Sequence, residues 1–141
     1  MSVKTYNPKD LVVIFGTEKL HGFSEDDMIT IKPSGDGTIK YVGADGEVGR
    51  SIDPDSTLEI SISLASTSAS NDTLMSYYEL DRETGAGMVP LAIKDLSGST
   101  VVAASQAWVK NVPEAKKGRK IDTQEWTIYT GQATTFIGGN D

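Results

Sequence analysis

Apolar and polar residues alternate with a period of two along much of this chain. The clearest run is LEISISLA, where Leu58, Ile60, Ile62 and Leu64 fall on one side and Glu59, Ser61 and Ser63 on the other. Successive side chains of a strand point to opposite faces, so the run predicts a strand with one buried and one polar face. EWTIYT repeats the pattern, with Trp126 and Ile128 set against Glu125, Thr127 and Tyr129. MITIK and TIKYV flank Ser34-Gly35-Asp36-Gly37, and PLAIKD and TVVAASQAWVKNV flank Leu96-Ser97-Gly98-Ser99. Both glycine-bearing links read as hairpin connections. LVVIF (Leu11 to Phe15) is apolar on both faces and is expected to be a central, well-covered strand.

One segment breaks the period. In SASNDTLMSYYELDRETGAG, Leu74, Tyr77 and Tyr78 form a helical stripe, and Gly85 and Gly87 supply a stop. Ser70 is the expected N-cap, with Asp72 in the first turn at the positive end of the helix dipole. The predicted helix covers about 71–83. The expected fold is therefore all-β, an antiparallel sandwich or barrel with one flanking helix and a long protruding loop at about 33–57. No repeat of solenoid or propeller length occurs, and the chain reads as a single domain over 1–141.

Composition narrows the function. A net charge of −7 argues against wrapping duplex DNA, which needs cations to neutralise phosphates. The absence of cysteine excludes disulfides, thiolate metal sites and thiol nucleophiles together. No apolar run approaches the ~20 residues of a membrane span, and MSVKTYNPKD lacks the apolar core of a secretory signal. The basic cluster KKGRK, Lys116 to Lys120, interleaves no aromatic ring and is read as a solvated loop rather than a nucleic-acid contact.

Candidate chemistry centres on YVGADGEVGRSIDPD. Gly43, Gly46 and Gly49 do not stand between a strand and a helix as a dinucleotide fingerprint requires. Aligning Asp45-Gly46 to an EF-hand puts Tyr41, Gly43 and Ile52 where oxygen ligands belong. A non-EF calcium site using Asp45, Glu47, Asp53 and Asp55 stays open beside the reading as a solvated turn. The sole histidine, His21, lies among apolar residues in KLHGF and reads as structural. Glu25-Asp26-Asp27 offers paired carboxylates but sits in a Ser-led loop, and Trp108 and Trp126 suit either a sugar platform or core packing. The expectation is no catalytic, cofactor or metal residue, hence no enzyme. The eighteen-residue polar connection Asp36–Asp53 still needs an explanation, because unstructured links beyond ~12–15 residues are usually functional or disordered. A polar protrusion on a rigid β scaffold suits contact with a neighbour.

NPKDLVVIFG with LHGF, then VGADGEVGRS, SASNDTL, and GAGMVPLAIKDLSGST followed by AW, resemble the tail tube protein of contractile-tailed bacteriophages, in the same order from Tyr6 to Gly139. KKGRK has no counterpart in this resemblance. The resemblance implies a fold similar to the type VI secretion tube protein, with six subunits closing a ring and rings stacking inside a sheath. It implies strands of neighbouring subunits joined around a channel through which DNA passes without specific binding. Partners would be further copies, the sheath, the baseplate and the tail terminator, with no membrane and no cofactor. The location would be the virion, after synthesis in the host cytoplasm. On this reading Gly43, Ala44, Asp45, Gly46, Glu47 and Arg50 form an inter-ring contact, and Arg50 pairs with one of Glu25, Asp26 and Asp27 of the next ring. Glu59, Ser61 and Ser63 face the lumen as an acidic, hydroxylated wall. Competing readings are a ring-forming tube terminator, a monomeric carbohydrate-binding sandwich using Trp108 or Trp126, and a small hydrolase built on the acidic loop and His21.

Overall fold

A computed structural model describes residues 3–140. After a short 3-10 turn (Pro8–Asp10) come β1 (Leu11–Phe15), β2 (Glu18–Lys19), β3 (Ile29–Pro33), β4 (Thr38–Val42), β5 (Val48–Ile52) and β6 (Leu58–Ala65). Helix α1 (Ser70–Thr84) follows, then β7 (Val89–Asp95), β8 (Val101–Val109), β9 (Thr123–Thr130) and β10 (Ala133–Phe136). Eight strands form one antiparallel sheet in the order β2-β1-β7-β8-β9-β6-β3, with β10 also paired to β8. β4 and β5 form a separate two-stranded ribbon.

Period-two patterning sets which face is buried. Ile60, Ile62 and Leu64 of β6, Ile93 of β7, Val102 of β8 and Ile128 of β9 are fully buried. They meet Val13 and Phe15 of β1, so the sheet curls around its own apolar face. It does not close into a barrel, because the strands at its two flanks, β2 with β1 on one side and β3 on the other, are unpaired with each other. Residues 20–24 cross between these flanks. The Leu20 N–H donates to Val13 O at 2.8 Å, while the Ala65 and Ser24 N–H groups donate to Gly22 O and Ser63 O, each at 2.9 Å. Beyond this crossing the seam opens into a cleft of about 570 Å³, lined in part by Leu11, Ile29, Ile31 and the acidic loop Glu25–Asp27.

The helix covers an end of the curled sheet. Leu74 is fully buried and Tyr77 stands edge-on to Phe15, ring centroids 5.1 Å apart. Gly16, at φ +67°, lies so close beneath Tyr77 that an added Cβ would clash with its ring. The helix includes Ser70, which is therefore not its cap. Ala69 occupies the N-cap position, and Ser70 Oγ instead accepts the His21 N–H at 2.8 Å. Gly85, left-handed at φ +71°, ends the helix and donates its N–H to Asp81 O.

Two other expectations change. β1 is near the sheet margin, covered on its outer side only by the two pairs Ile14↔Lys19 and Phe15↔Glu18. Ile14 is exposed because it points to the outer face of the sheet, opposite the buried Val13 and Phe15. The Ser34–Gly37 link is not a hairpin turn, because β3 pairs with β6 and β4 with β5. β3–β6 and β4–β5 are two parts of one long hairpin, joined by four residues outbound (34–37) and five returning (53–57). One extra residue on a strand has the effect of a β-bulge, bending and twisting the ribbon away from the sheet. The Leu96–Ser99 link does join a hairpin, β7 to β8, as expected.

Candidate assembly interface

The ribbon is the most exposed ordered element. All ten residues of β4 and β5 are exposed, including Ile52 (72%), Tyr41 (69%) and Val48 (67%). Its register sets Thr38 opposite Ile52, Lys40 opposite Arg50 and Val42 opposite Val48 on one face; Ile39/Ser51 and Tyr41/Gly49 occupy the other. Like charges directly opposite one another destabilise a strand pair, and a lone two-stranded ribbon is marginal in water. Val42, Val48 and Ile52 on one face and Ile39 and Tyr41 on the other are apolar side chains left exposed.

Both ends of the ribbon are locally built. At the tip, Gly43 N–H donates to Glu47 O at 2.8 Å, Glu47 N–H donates to Asp45 Oδ1 at 3.1 Å, and Gly46 takes φ +90°. Gly43, Ala44, Asp45, Gly46 and Glu47 are thus the turn itself, and Arg50 lies on the returning strand. At the root, Asp53 accepts the Asp36 N–H (2.9 Å) on one carboxylate oxygen and the Asp55 N–H (3.0 Å) on the other. The Asp36 bond, then the Asp55 bond, holds the Asp53 pKa below its usual value. Asp55 Oδ1 accepts from the N–H and hydroxyl of Thr57, and Gly35 is pressed against the Asp55 backbone. Asp45 and Glu47 lie at the tip and Asp53 and Asp55 at the root, so the four carboxylates considered for calcium are not brought together. Among the described residues no group of three or more acidic or histidine side chains is placed to hold a metal.

The second surface is the open face of the sheet. Glu59, Ser61 and Ser63 lie there, half-buried. Lys32 of β3 and Tyr129 of β9 stand directly opposite Glu59, Thr30 and Thr127 flank Ser61, and Glu125 flanks Ser63. Lys110 Nζ sits 5.2 Å from the Tyr129 ring centroid, and its interaction with Tyr129, and more weakly with Glu59, raises the lysine pKa. Trp108 stacks edge-on with Tyr129, centroids 6.5 Å apart. Signs therefore alternate on this face, with Lys32 and Lys110 among Glu59 and Glu125.

The remaining candidates disperse. Trp126 is 2% exposed and its indole N–H donates to Asn71, which makes it core rather than a platform. His21 has an exposed side chain and engages the helix start through its backbone. The Lys116–Lys120 loop is exposed, with Lys116 4.0 Å from Glu114. Sequence reasoning missed the Lys40–Arg50 pairing because VGRSI carries no strand pattern; the only clue was the compact Gly43–Gly46 turn between TIKYV and VGRSI.

One curled antiparallel sheet, one covering helix and an uncovered arm define a small, mostly β protein. A family model described as "Bacteriophage PhiTE tail tube protein" matches residues 15–138, and the chain belongs to that family. It is a phage tail structural protein and a component of the virion. It is 32% identical over 144 residues to "Structural protein ORF10" of Pseudomonas phage KPP10, covering 96% of this chain and 83% of that one. Its fold is similar to the PVC sheath/tube terminator of an extracellular contractile injection system in the extended state (TM-score 0.65, 14% identity, 97% and 100% of the two chains). It is also similar to a chain of the PVC sheath-tube complex (TM-score 0.60, 14% identity, 94% and 91% covered). At these identities the two structures speak to fold alone.

Proposed function

We propose that this chain is the tube subunit: it polymerises with itself into stacked hexameric rings that form the inner conduit of the tail, through which DNA leaves during ejection. The observation that carries the reading is the fully exposed ribbon, whose apolar residues and paired cations are left uncovered by its own subunit. Sheet margins without partners are an aggregation hazard in a monomer and an asset in a closed ring. Gly43 to Glu47 and Arg50 make the contact between rings, and the role of the chain is mechanical rather than catalytic. Sheath, baseplate and terminator are the other partners.

On this reading the open face, with Glu59, Ser61 and Ser63, lines the channel. Hydroxyls and alternating charges suit a passage for a polyanion, since each free cation neutralising a phosphate would add drag. Lys32 stands opposite Glu59 in the ladder, and Lys110 lies over the Tyr129 ring. A tube terminator is the second reading, since a sheath/tube terminator and a chain of a sheath-tube complex share this fold. Electron microscopy of concentrated purified protein tests both. Long tubes with sixfold symmetry and Glu59 on the inner wall are expected; single rings would favour the terminator, and a persistent monomer would exclude both.

A further inference from the structure

The arm needs a receptor, and the seam of the curled sheet has the matching chemistry. Leu11, Ile29 and Ile31 belong to the core-facing pattern yet are only half-buried, because the cleft between the unpaired flanks leaves them open. Glu25, Asp26 and Asp27 stand exposed along this cleft, held by Ser24 and Met28: Ser24 N–H donates to Ser63 O, and Ser63 N–H donates to Met28 O. The result is a cleft of about 570 Å³ whose floor is mainly apolar, with Asp95 and Thr100 also in its lining, under an anionic rim. The arm presents the converse along one face, with Val42/Val48 next to the tip and Lys40/Arg50 immediately behind them.

Topology keeps the two from meeting within one subunit. The acidic loop precedes β3, and the ribbon leaves β3 at its far end, beyond Pro33. An arm at one end and a cleft at the other make a head-to-tail contact, which propagates without limit unless a ring closes it. We infer that the seam cleft of a second copy receives the arm, with Val42 and Val48 on the apolar floor and Lys40 and Arg50 against Glu25, Asp26 and Asp27. This rests on the self-assembly reading and adds its receptor. It also accounts for the Lys40–Arg50 pair, since cations that repel each other on a free ribbon are each satisfied by carboxylates of the neighbour.

The test reverses the charges in the full chain and measures the concentration needed for sedimentable assembly. Lys40→Glu with Arg50→Glu should raise it at least about tenfold, as should Glu25→Lys with Asp26→Lys and Asp27→Lys, and combining the two sets should restore assembly. Circular dichroism checks that each variant folds. The cysteine-free chain permits a second measurement that needs no charge change. Val48→Cys with Met28→Cys should give a ladder of disulfide-linked multimers under mild oxidation, lost on adding reductant. Parent-like assembly of the Lys40/Arg50 variant, or tubes without a ladder, would overturn the proposed receptor while leaving the tube reading intact. So would loss of assembly on reversing Lys116, Lys117, Arg119 and Lys120 with no effect from the arm. A parent chain that never assembles would instead remove the reading beneath it.

Discussion

The indole N–H of Trp126 donates to Asn71 Oδ1 at 2.8 Å, joining strand β9 to the first turn of the helix. The Asn71 amide also donates to Ala65 O and Ser68 O, each at 3.0 Å, so one side chain fastens three backbone or side-chain groups. Asn71→Ala leaves the buried indole donor unpaired. A loss of about 1–3 kcal/mol is expected, read as a lower urea midpoint with an unchanged slope.

Thr130 has a similar task at the start of β6. Its buried Oγ1 accepts the Leu58 N–H at 2.9 Å and its hydroxyl donates to Gly131 O at 2.8 Å. Thr130→Val keeps shape and removes the acceptor. A cost of about 1–3 kcal/mol is expected from the unpaired amide, together with faster hydrogen exchange at Leu58.

Gly16→Ala tests the fit of helix to sheet. The residue is left-handed, and a Cβ there would lie 2.9 Å from the Tyr77 ring carbon bearing the hydroxyl. The penalty should exceed about 1 kcal/mol. Adding Tyr77→Ala should recover little, since it also removes the stacking on Phe15.

Asp53 makes the ribbon root acid-sensitive. Its folded pKa is lowered from 3.8 by the Asp36 and Asp55 amides. The bonds therefore stabilise the root fully above the usual carboxylate value, and this contribution disappears as pH falls through the lowered folded value. Amide exchange at Asp36 and Asp55, read by NMR, should lose protection in that acid window while the core keeps its own. Asp53→Asn, with one carbonyl oxygen in place of two carboxylate oxygens, should leave one amide unprotected even at neutral pH.

Legibility in the sequence followed burial. β6 and β9 were plain because one face of each lies in the core, which enforces strict alternation. β5 was hidden because Val48 to Ile52 is exposed on both sides, so nothing selects a period. Ser34–Gly37 was misread because glycine signals a bent joint and a tight turn alike; what separates them is contact with Asp53 and Asp55, far along the chain. Leu11 to Phe15 suggested a central strand, since its apolar outer residues give no hint that their cover is missing. Ser70 passed for a cap because its hydroxyl serves a distant amide, that of His21, rather than its own helix. Of the candidate surfaces, the tip turn was recognisable from glycine and aspartate, but the facing of Lys40 by Arg50 depends on register and could not be read.

The unequal lengths of the joint, four residues out and five back, carry a consequence for how such subunits diversify. Length changes there leave the alternation of β3 and β6 untouched, yet each alters the angle of the ribbon and which of its sides meets a neighbour. On the proposed self-assembly reading, aim and foundation can thus drift independently, and assemblies of different pitch or girth become accessible by editing a handful of positions in this elbow.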